Sequence, residues 1–192
     1  MFLADDLAAR ISATGPLTIA DYMAECLLHP RYGYSTPRAP LGRQGDFVTA
    51  PEISQMFGDL VGLCLAQAWT DRGGPSPFRL VELGPGRVTL MADMLRATRN
   101  VPGFHDALDL HLIEASPVLR QTQSQTINRP LTHHDSLASV PKGPLFLVAN
   151  EFFDALPIRQ FQRAGAGWRE RLVGLHDGQL AIGLSDPTRP DF

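Results

Sequence analysis

This 192-residue chain has few cysteines, no cluster of basic residues and no long apolar run near its start. These absences limit the classes of protein to which it can belong. Cys26 and Cys64 each fall in an apolar helical pattern, which predicts buried thiols in a reducing compartment rather than a disulfide or metal ligands. A formal net charge of −3 without a basic run argues against a nucleic-acid partner. Early acidic residues argue against a signal or transit peptide, so we expect a cytoplasmic, bacterial-type protein with no membrane partner.

The composition is that of an ordinary globular protein, with 44% hydrophobic and 19% charged residues. Changes in pattern along the chain predict three parts. A helical amino-terminal cap covers 1–75, an α/β core covers 76–157, and an antiparallel β-meander covers 158–192. The first of these parts contains two amphipathic helices, and Thr18 with Asp21 is predicted to cap the second.

The stretch RLVELGPGRVTL, from Arg79 to Leu90, predicts a buried strand, a tight glycine turn and the start of a helix. Glycines let the backbone approach a ligand, and a helix amino terminus offers it unpaired N–H groups. A dinucleotide fingerprint needs a third glycine where Thr89 stands, which disfavours NAD. Glu82, two places before Gly84, instead matches the first motif of class I S-adenosylmethionine (SAM) methyltransferases. This match implies that Gly84, Pro85 and Gly86 contact the cofactor.

A Gly-, Pro- and Arg-rich segment, 31–48, is predicted to be a functional loop that precedes a helix. Thr49 and Glu52 are spaced as a capping box for that helix, so capping alone and a role in the site are both open. Asp46 has no such local explanation and is a candidate for the site.

The next two strands are predicted to bring acidic residues to the carboxyl edge of the sheet. Glu114 ends the second strand, where a carboxylate can accept hydrogen bonds from both ribose hydroxyls; a surface acid before a helix is the alternative. Asp135 follows the third strand, where this fold binds the adenine edge. His133 and His134 are adjacent and have no third ligand at a suitable spacing, so no metal site is predicted.

The fourth strand, PLFLVA at 144–149, is uniformly apolar, as expected of a strand covered on both faces. It delivers Asn150, Glu151 and Asp154 to the same edge as the glycine turn. Carboxylates beside apolar strands are costly unless paired or used, which favours a substrate role over a salt-bridged structural loop. Beyond Pro157, alternating segments at 158–162, 168–175 and 179–184 predict the meander, with a turn at Asp177 and Gly178.

Three motifs, GDFVTAPEIS, ELGPGR-x-TL and NEFFDALP, together resemble the MidA family over residues 10–185. The resemblance implies a class I (Rossmann-like), doubly wound methyltransferase fold with SAM as cofactor. It also implies methylation of a protein arginine in a respiratory complex I subunit, and a mitochondrial matrix location for eukaryotic relatives. Glu151 is the first candidate to grip the arginine, Asp154 with Asn150 the second, and Asp46 or Glu52 would close over the site.

Two departures from the family pattern carry further expectations. Val88 stands where the family has a glycine; if that position needs a positive φ, a β-branched residue costs about 1–2 kcal/mol, and we expect weaker SAM affinity. Members of the family are longer, which predicts an incomplete core with an uncovered edge at 145–148. A binding or assembly module without turnover is therefore the alternative function, and a homodimer is left open.

Overall fold

The computed structural model describes residues 2–33 and 48–188, so Asp46 lies outside the described residues. Contacts divide the chain into two compact units. One contains 48–154, and the other combines 2–33 with 155–188. This division differs from the predicted boundary near residue 75, because the helices just before that point pack within the α/β unit.

The start of the chain forms helix α1, strand β1 and helix α2, with bounds Leu3–Thr14, Leu17–Thr18 and Ile19–Leu28. The predicted apolar stripe of α1 buries Leu7 and Ile11, whereas Phe2 lies at the amino-terminal cap with 78% of its surface exposed. The predicted cap of α2 is confirmed, since Thr18 Oγ1 accepts a hydrogen bond of 3.0 Å from the Asp21 N–H.

The α/β unit begins with helices α3 and α4, which span Ala50–Ile53 and Gln55–Asp71. A single helix opened by a capping box was the wrong prediction, because the chain is extended at Ser54 and breaks the helix there. Within the described residues, the Thr49 side chain makes no capping hydrogen bond. The Glu52 carboxylate instead accepts a hydrogen bond of 2.8 Å from Thr89 Oγ1.

Helix α4 lies tightly against the first helix of the α/β core, α5, which spans Thr89–Ala97. A Cβ added at Gly62 would lie 2.7 Å from the Cα of Met94, so a larger residue would push the two helices apart. The face of α4 away from α5 is exposed and carries Cys64, so the predicted burial of that thiol is wrong.

A four-stranded parallel sheet forms the centre of the α/β unit, in the order β4–β3–β2–β5. The bounds of β2, β3, β4 and β5 are Phe78–Leu83, Leu108–Ile113, Thr132–His134 and Leu145–Ala149. Helix α6 spans Phe104–Ala107 and α7 spans Pro117–Thr126. All four predicted strands are confirmed. The order of connection reverses between β2 and β5, which is the switch point where doubly wound sheets bind ligands.

The sheet has one well-covered face and one sparsely covered face. Phe78, Leu80 and Leu110 pack with Trp69 and Phe104 on the first face. On the second face, the described side chains form a small apolar cluster centred on Val81, Leu83 and Ile113. The prediction that β5 is covered on both faces is wrong, since Leu145 is 47% and Leu147 is 37% exposed.

Strands β6, β7 and β8 form the second unit's antiparallel sheet, with bounds Phe161–Ala164, Gly167–His176 and Gln179–Thr188. The predicted turn between the last two strands is confirmed by φ angles of 50° at Asp177 and 75° at Gly178. Strand β6 begins at Phe161, three residues after the start of the predicted segment at 158–162. The last strand, β8, continues beyond its predicted end at residue 184, because Thr188 pairs with Trp168.

The short strand β1 completes this sheet, because it pairs antiparallel with β7. Leu7, Ile11, Leu17 and Val173 pack into one apolar cluster beneath it. The first two helices therefore belong to the antiparallel unit rather than to a separate cap. In the part of the chain that the structure describes, no helix has both the length and the apolar character needed to cross a bilayer.

Candidate functional site

A cleft opens at the carboxyl end of β2 and encloses about 540 Å³, including the part open to solvent. Its walls come from the glycine turn, from α3, from the start of α5 and from the segment after β5. The lining residues are Thr49, Pro51, Glu52, Glu82, Gly84, Pro85, Gly86, Arg87, Thr89, Leu90, Asn150 and Glu151. The structure therefore brings together eight of the predicted site residues at the switch point of the sheet.

The turn after β2 has a backbone that only glycine adopts easily, with φ of 60° at Gly84 and 53° at Gly86. A Cβ added at Gly84 would collide with the ring of Phe152. The segment after β5 therefore packs directly on the turn, which leaves no room for a side chain at Gly84. This arrangement explains why the motif has glycine at Gly84 on steric as well as conformational grounds.

Val88 also has a left-handed backbone, with φ of 65°, so the condition for strain at this position is met. Its side chain is fully buried in the main apolar core and is not among the residues that line the cleft. The expected weakening of cofactor binding remains a prediction. If it occurs, it acts through backbone strain, because the methyl groups point into the core.

Glu82 places a buried carboxyl group in the wall of the cleft. Only 3% of its surface is exposed, and burial raises the pKa of Glu82 to about 8. Among the described residues, none donates a hydrogen bond to Glu82 Oε2. A buried acceptor without a donor is costly, so this atom is suited to a ligand that supplies an N–H or O–H group.

Asn150 and Glu151 form the opposite wall of the cleft. Glu151 has φ of 47°, a left-handed conformation that is unfavourable for a residue with a Cβ. One carboxylate oxygen, Oε1, lies 3.4 Å from the backbone nitrogen of Ala50 and accepts its hydrogen bond. Strain of this kind persists mainly where the surrounding structure or function requires it.

Glu114 does not line the cleft, but a hydrogen-bond chain joins it to the glycine turn. Its carboxylate accepts hydrogen bonds from the Ser116 N–H at 2.9 Å and from Gln123 Nε2 at 3.2 Å. The same Gln123 nitrogen donates to the Gly86 carbonyl at 2.8 Å. Gln123 is a residue that the sequence reasoning missed, since a glutamine in a polar helix gives no signal of burial.

Two predicted site residues lie away from the cleft. The Asp135 side chain is 92% exposed, and Arg120 holds one of its oxygens at 2.5 Å. Asp154 is exposed in a 3-10 turn at Phe153–Ala155 and is not among the lining residues. Their assigned roles remain predictions.

The neighbouring histidines have separate partners. His133 Nε2 lies 2.8 Å from Gln123 Oε1, whereas His134 Nε2 lies 2.9 Å from His111 Nδ1. Burial and the positive charge of Arg120 lower the pKa of both His133 and His134. Within 2–33 and 48–188, no group of three or more His, Cys, Asp or Glu side chains has a geometry that could hold a metal ion.

A parallel sheet with reversed strand order, an acidic residue two places before a glycine turn and a ligand-sized cleft at the switch point define the class I methyltransferase fold. The model of a family described as "Putative S-adenosyl-L-methionine-dependent methyltransferase" matches residues 60–191. The chain belongs to this family, and the cofactor of the family is SAM.

Characterised relatives and solved structures agree with this assignment. The chain is 38% identical to the Xenopus laevis protein named protein arginine methyltransferase NDUFAF7, mitochondrial, over 98% of this chain and 47% of the relative. For the human protein of that name, identity is 39% over 88% of this chain and 44% of the relative. The chain thus spans about half the length of the curated relatives it matches.

The structural comparison gives the same picture. A Burkholderia thailandensis protein crystallised with S-adenosyl-homocysteine (SAH) superposes with a TM-score of 0.74 at 30% identity. The match covers 98% of this chain and 50% of that one. A native crystal structure of a protein from the same organism matches with a TM-score of 0.66, also at 30% identity.

Proposed function

We propose that this chain carries the SAM site of a methyltransferase that modifies an arginine side chain of a protein. The cleft at the glycine turn is the observation that carries the proposal. Its glycine turn allows close approach, and the unpartnered Oε2 of Glu82 offers an acceptor to the α-ammonium group of SAM. The residues of this chain are therefore chemically suited to SAM, independently of its similarity to other proteins.

The remaining proposed cofactor contacts combine residues that line the cleft with Glu114 and Asp135, which lie outside its lining. Gly84, Pro85 and Gly86 would lie against the nucleoside, and Glu114 would accept hydrogen bonds from its ribose hydroxyls. Thr49, at the amino-terminal cap of α3, and Glu52, within α3, line the cleft and would close over the ligand. Asp135 would face the adenine edge once its exposed carboxylate left Arg120.

The identity of the methyl acceptor rests on the names of the relatives and on the acidic wall of the cleft. The relatives are named protein arginine methyltransferases, and Asn150 with Glu151 provides acceptors for a guanidinium. A carboxylate binds a guanidinium with two parallel hydrogen bonds, which suits it to this substrate. That the substrate is a complex I subunit remains a prediction.

The chemistry needs alignment and proton removal from this chain. SAM, when bound, supplies an electrophilic methyl group. Arginine is protonated at neutral pH and is a poor nucleophile. Glu151 would hold the guanidinium, concentrate its positive charge away from the attacking nitrogen and accept the proton that the product releases. Asn150 would orient the same group, and Asp154 is a second carboxylate within three residues.

Calorimetric titration of the chain with SAH tests the cofactor site. We expect binding, and we expect Glu82→Ala to reduce affinity by about tenfold or more, because the buried acceptor is lost. Asp106→Asn, at an exposed position on α6, is the matched control and should bind as the unmodified chain does. An unmodified chain that fails to bind SAH would contradict the proposed site.

Methyl transfer is tested with labelled SAM, arginine-containing protein substrates and mass spectrometry of the products. We expect transfer to arginine, with Glu151→Gln lowering kcat by about 10²-fold or more while SAH affinity changes little. Normal transfer by Glu151→Gln would remove Glu151 from its assigned role. A chain that binds SAH but modifies no arginine would instead be the binding module.

A further inference from the structure

Gln123 is a fully buried amide in a helix whose neighbouring glutamines are exposed. Its solvent-exposed fraction is 0%, whereas Gln121 and Gln125 on the same helix α7 are exposed. A buried primary amide is stable only if its donors and its acceptor are used. The partners of Gln123 therefore indicate why it is there.

Three different segments of the α/β unit meet at this side chain. Gln123 Nε2 donates to the Gly86 carbonyl at 2.8 Å and to Glu114 Oε2 at 3.2 Å. Gln123 Oε1 lies 2.8 Å from His133 Nε2. One amide thus connects the glycine turn after β2, the acid at the end of β3 and strand β4.

The chemistry of the partners fixes the orientation of the amide. A carbonyl and a carboxylate can only accept, so the NH₂ group must face Gly86 and Glu114. The Oε1 atom must then face His133, which carries its proton on Nε2. No amide flip satisfies all three contacts, so Gln123 has one orientation and holds its partners at one spacing.

Glu114 is positioned by this contact and by one backbone group. Among the residues that the structure describes, one donor reaches each of its carboxylate oxygens, the Ser116 N–H and Gln123 Nε2. A carboxylate oxygen has a second lone pair, so both oxygens keep an acceptor site for a ligand. The pair of sites is locked relative to the glycine turn, because the same NH₂ group also holds Gly86.

We propose that Gln123 is the positioning residue for ribose recognition, which locks the Glu114 carboxylate to the glycine turn at the spacing that a nucleoside requires. This inference deepens the proposed cofactor role of the cleft and rests on it. Gln123 touches no reacting atom, and its effect passes through Glu114 and Gly86. Its loss should therefore weaken binding of the part of the ligand that contains the hydroxyls.

Two substitutions of Gln123 separate its hydrogen bonds from its volume. Gln123→Glu keeps the shape but places a second carboxylate against Glu114 and the Gly86 carbonyl. Gln123→Met fills similar space without charge and serves if the first variant does not fold. Calorimetry with SAH should show affinity lowered by about tenfold or more in both. Gln125→Glu, which adds the same charge on an exposed turn of α7, should stay within about twofold.

Ribose dependence distinguishes positioning from general destabilisation. We expect the loss in Gln123→Met to be large for SAH and small for its 2′,3′-dideoxy analogue, since the analogue has no hydroxyls for Glu114 to hold. In a Glu114→Gln background, Gln123→Met should cost much less than it does alone. SAH binding by Gln123→Met equal to that of the unmodified chain, or equal losses for both ligands, would overturn this inference and leave the SAM site standing. Absence of SAH binding by the unmodified chain would overturn both.

Discussion

Thr89 Oγ1 donates a hydrogen bond of 2.8 Å to Glu52 Oε1, which joins the first residue of α5 to the short helix α3. Both residues line the cleft. Helix α3 spans only Ala50–Ile53, and four residues make too few internal hydrogen bonds to hold a helix in place. The contact with Thr89 therefore anchors α3 to the start of α5, and both elements are walls of the cleft.

Removing that hydroxyl should loosen α3 with little effect on the fold. We expect Thr89→Val to raise hydrogen exchange at 49–53 and to weaken SAH binding about three- to tenfold, because one hydrogen bond contributes about 0.5–1.5 kcal/mol. Thr126→Val is the matched control, since its hydroxyl donates a hydrogen bond to the Thr122 carbonyl within the same helix, α7. Unchanged exchange at 49–53 in Thr89→Val would show that α3 is held by other contacts.

The raised pKa of Glu82 predicts a pH-dependent stability in the unliganded protein. Its pKa is about 8 when folded, against about 4.3 when unfolded, so the folded state holds a proton that the unfolded chain releases. This stability is fully present below about pH 4.3 and is lost as the pH rises through about 8, at up to about 1.4 kcal/mol per unit.

Urea denaturation across about pH 5 to about pH 8 measures this loss, and Glu82→Gln should flatten the profile and be more stable at the alkaline end. Asp106→Asn, an exposed control, should keep the slope of the unmodified chain. A cationic ligand favours the ionised carboxyl, so SAM binding near neutral pH should release a proton. Calorimetry in buffers of different ionisation enthalpy would detect that release, and a value of zero would contradict the contact between Glu82 and the ligand.

Val88 predicts an unusual order of stability among small residues. At an ordinary position, glycine is less stable than alanine by about 0.5–1 kcal/mol. With φ of 65°, alanine keeps the strain and glycine relieves about 1–2 kcal/mol of it, so Val88→Gly should be more stable than Val88→Ala. Both should be less stable than the unmodified chain, because valine is fully buried there. Chemical denaturation gives the order, and an alanine variant more stable than the glycine variant would argue against strain.

The antiparallel unit has an acid-sensitive ion pair. Arg159 Nε and Nη2 donate to the two oxygens of Glu170 at 2.8 and 2.7 Å, and these hydrogen bonds lower the pKa of Glu170. A lowered pKa contributes stability that is present above the unfolded value, about 4.3, and is lost as the pH falls through the folded value. Glu170→Gln should therefore be less stable at neutral pH and less sensitive to acid. Thermal unfolding of both proteins at neutral pH and at about pH 3 tests this. An equal fall in melting temperature in the two proteins would contradict it.

The strands of the core and the glycine turn could be read from the sequence because their signals are local. The mostly apolar segment at 80–83, the apolar run at 145–149 and the two close glycines, Gly84 and Gly86, specify strand and turn whatever surrounds them. Parallel strands then bring Glu82, Asn150 and Glu151 to one edge, so much of the cleft followed from topology alone.

Contacts between distant residues could not be read in this way. Gln123 looks like a surface residue of a polar helix, and its burial is explained by its contacts with Glu114, His133 and Gly86, the last of which is 37 residues away. The Thr49 and Glu52 spacing matches a cap, yet Glu52 bonds to Thr89 instead. Likewise, strand β1 has two residues, too few for a recognisable strand pattern in the sequence. It is a strand because Leu17 pairs with Val173. In each case a tertiary partner decides between two locally reasonable structures.

We expect strand β5 to affect how this protein behaves in concentrated solution. It forms one side of the parallel sheet, pairs there with β2 alone among the described strands, and carries the half-exposed Leu145 and Leu147. Such a strand offers a template on which another molecule can extend the sheet. Light scattering should therefore rise with protein concentration, and one lysine introduced at Leu147 should suppress that association without reaching the ligand cleft.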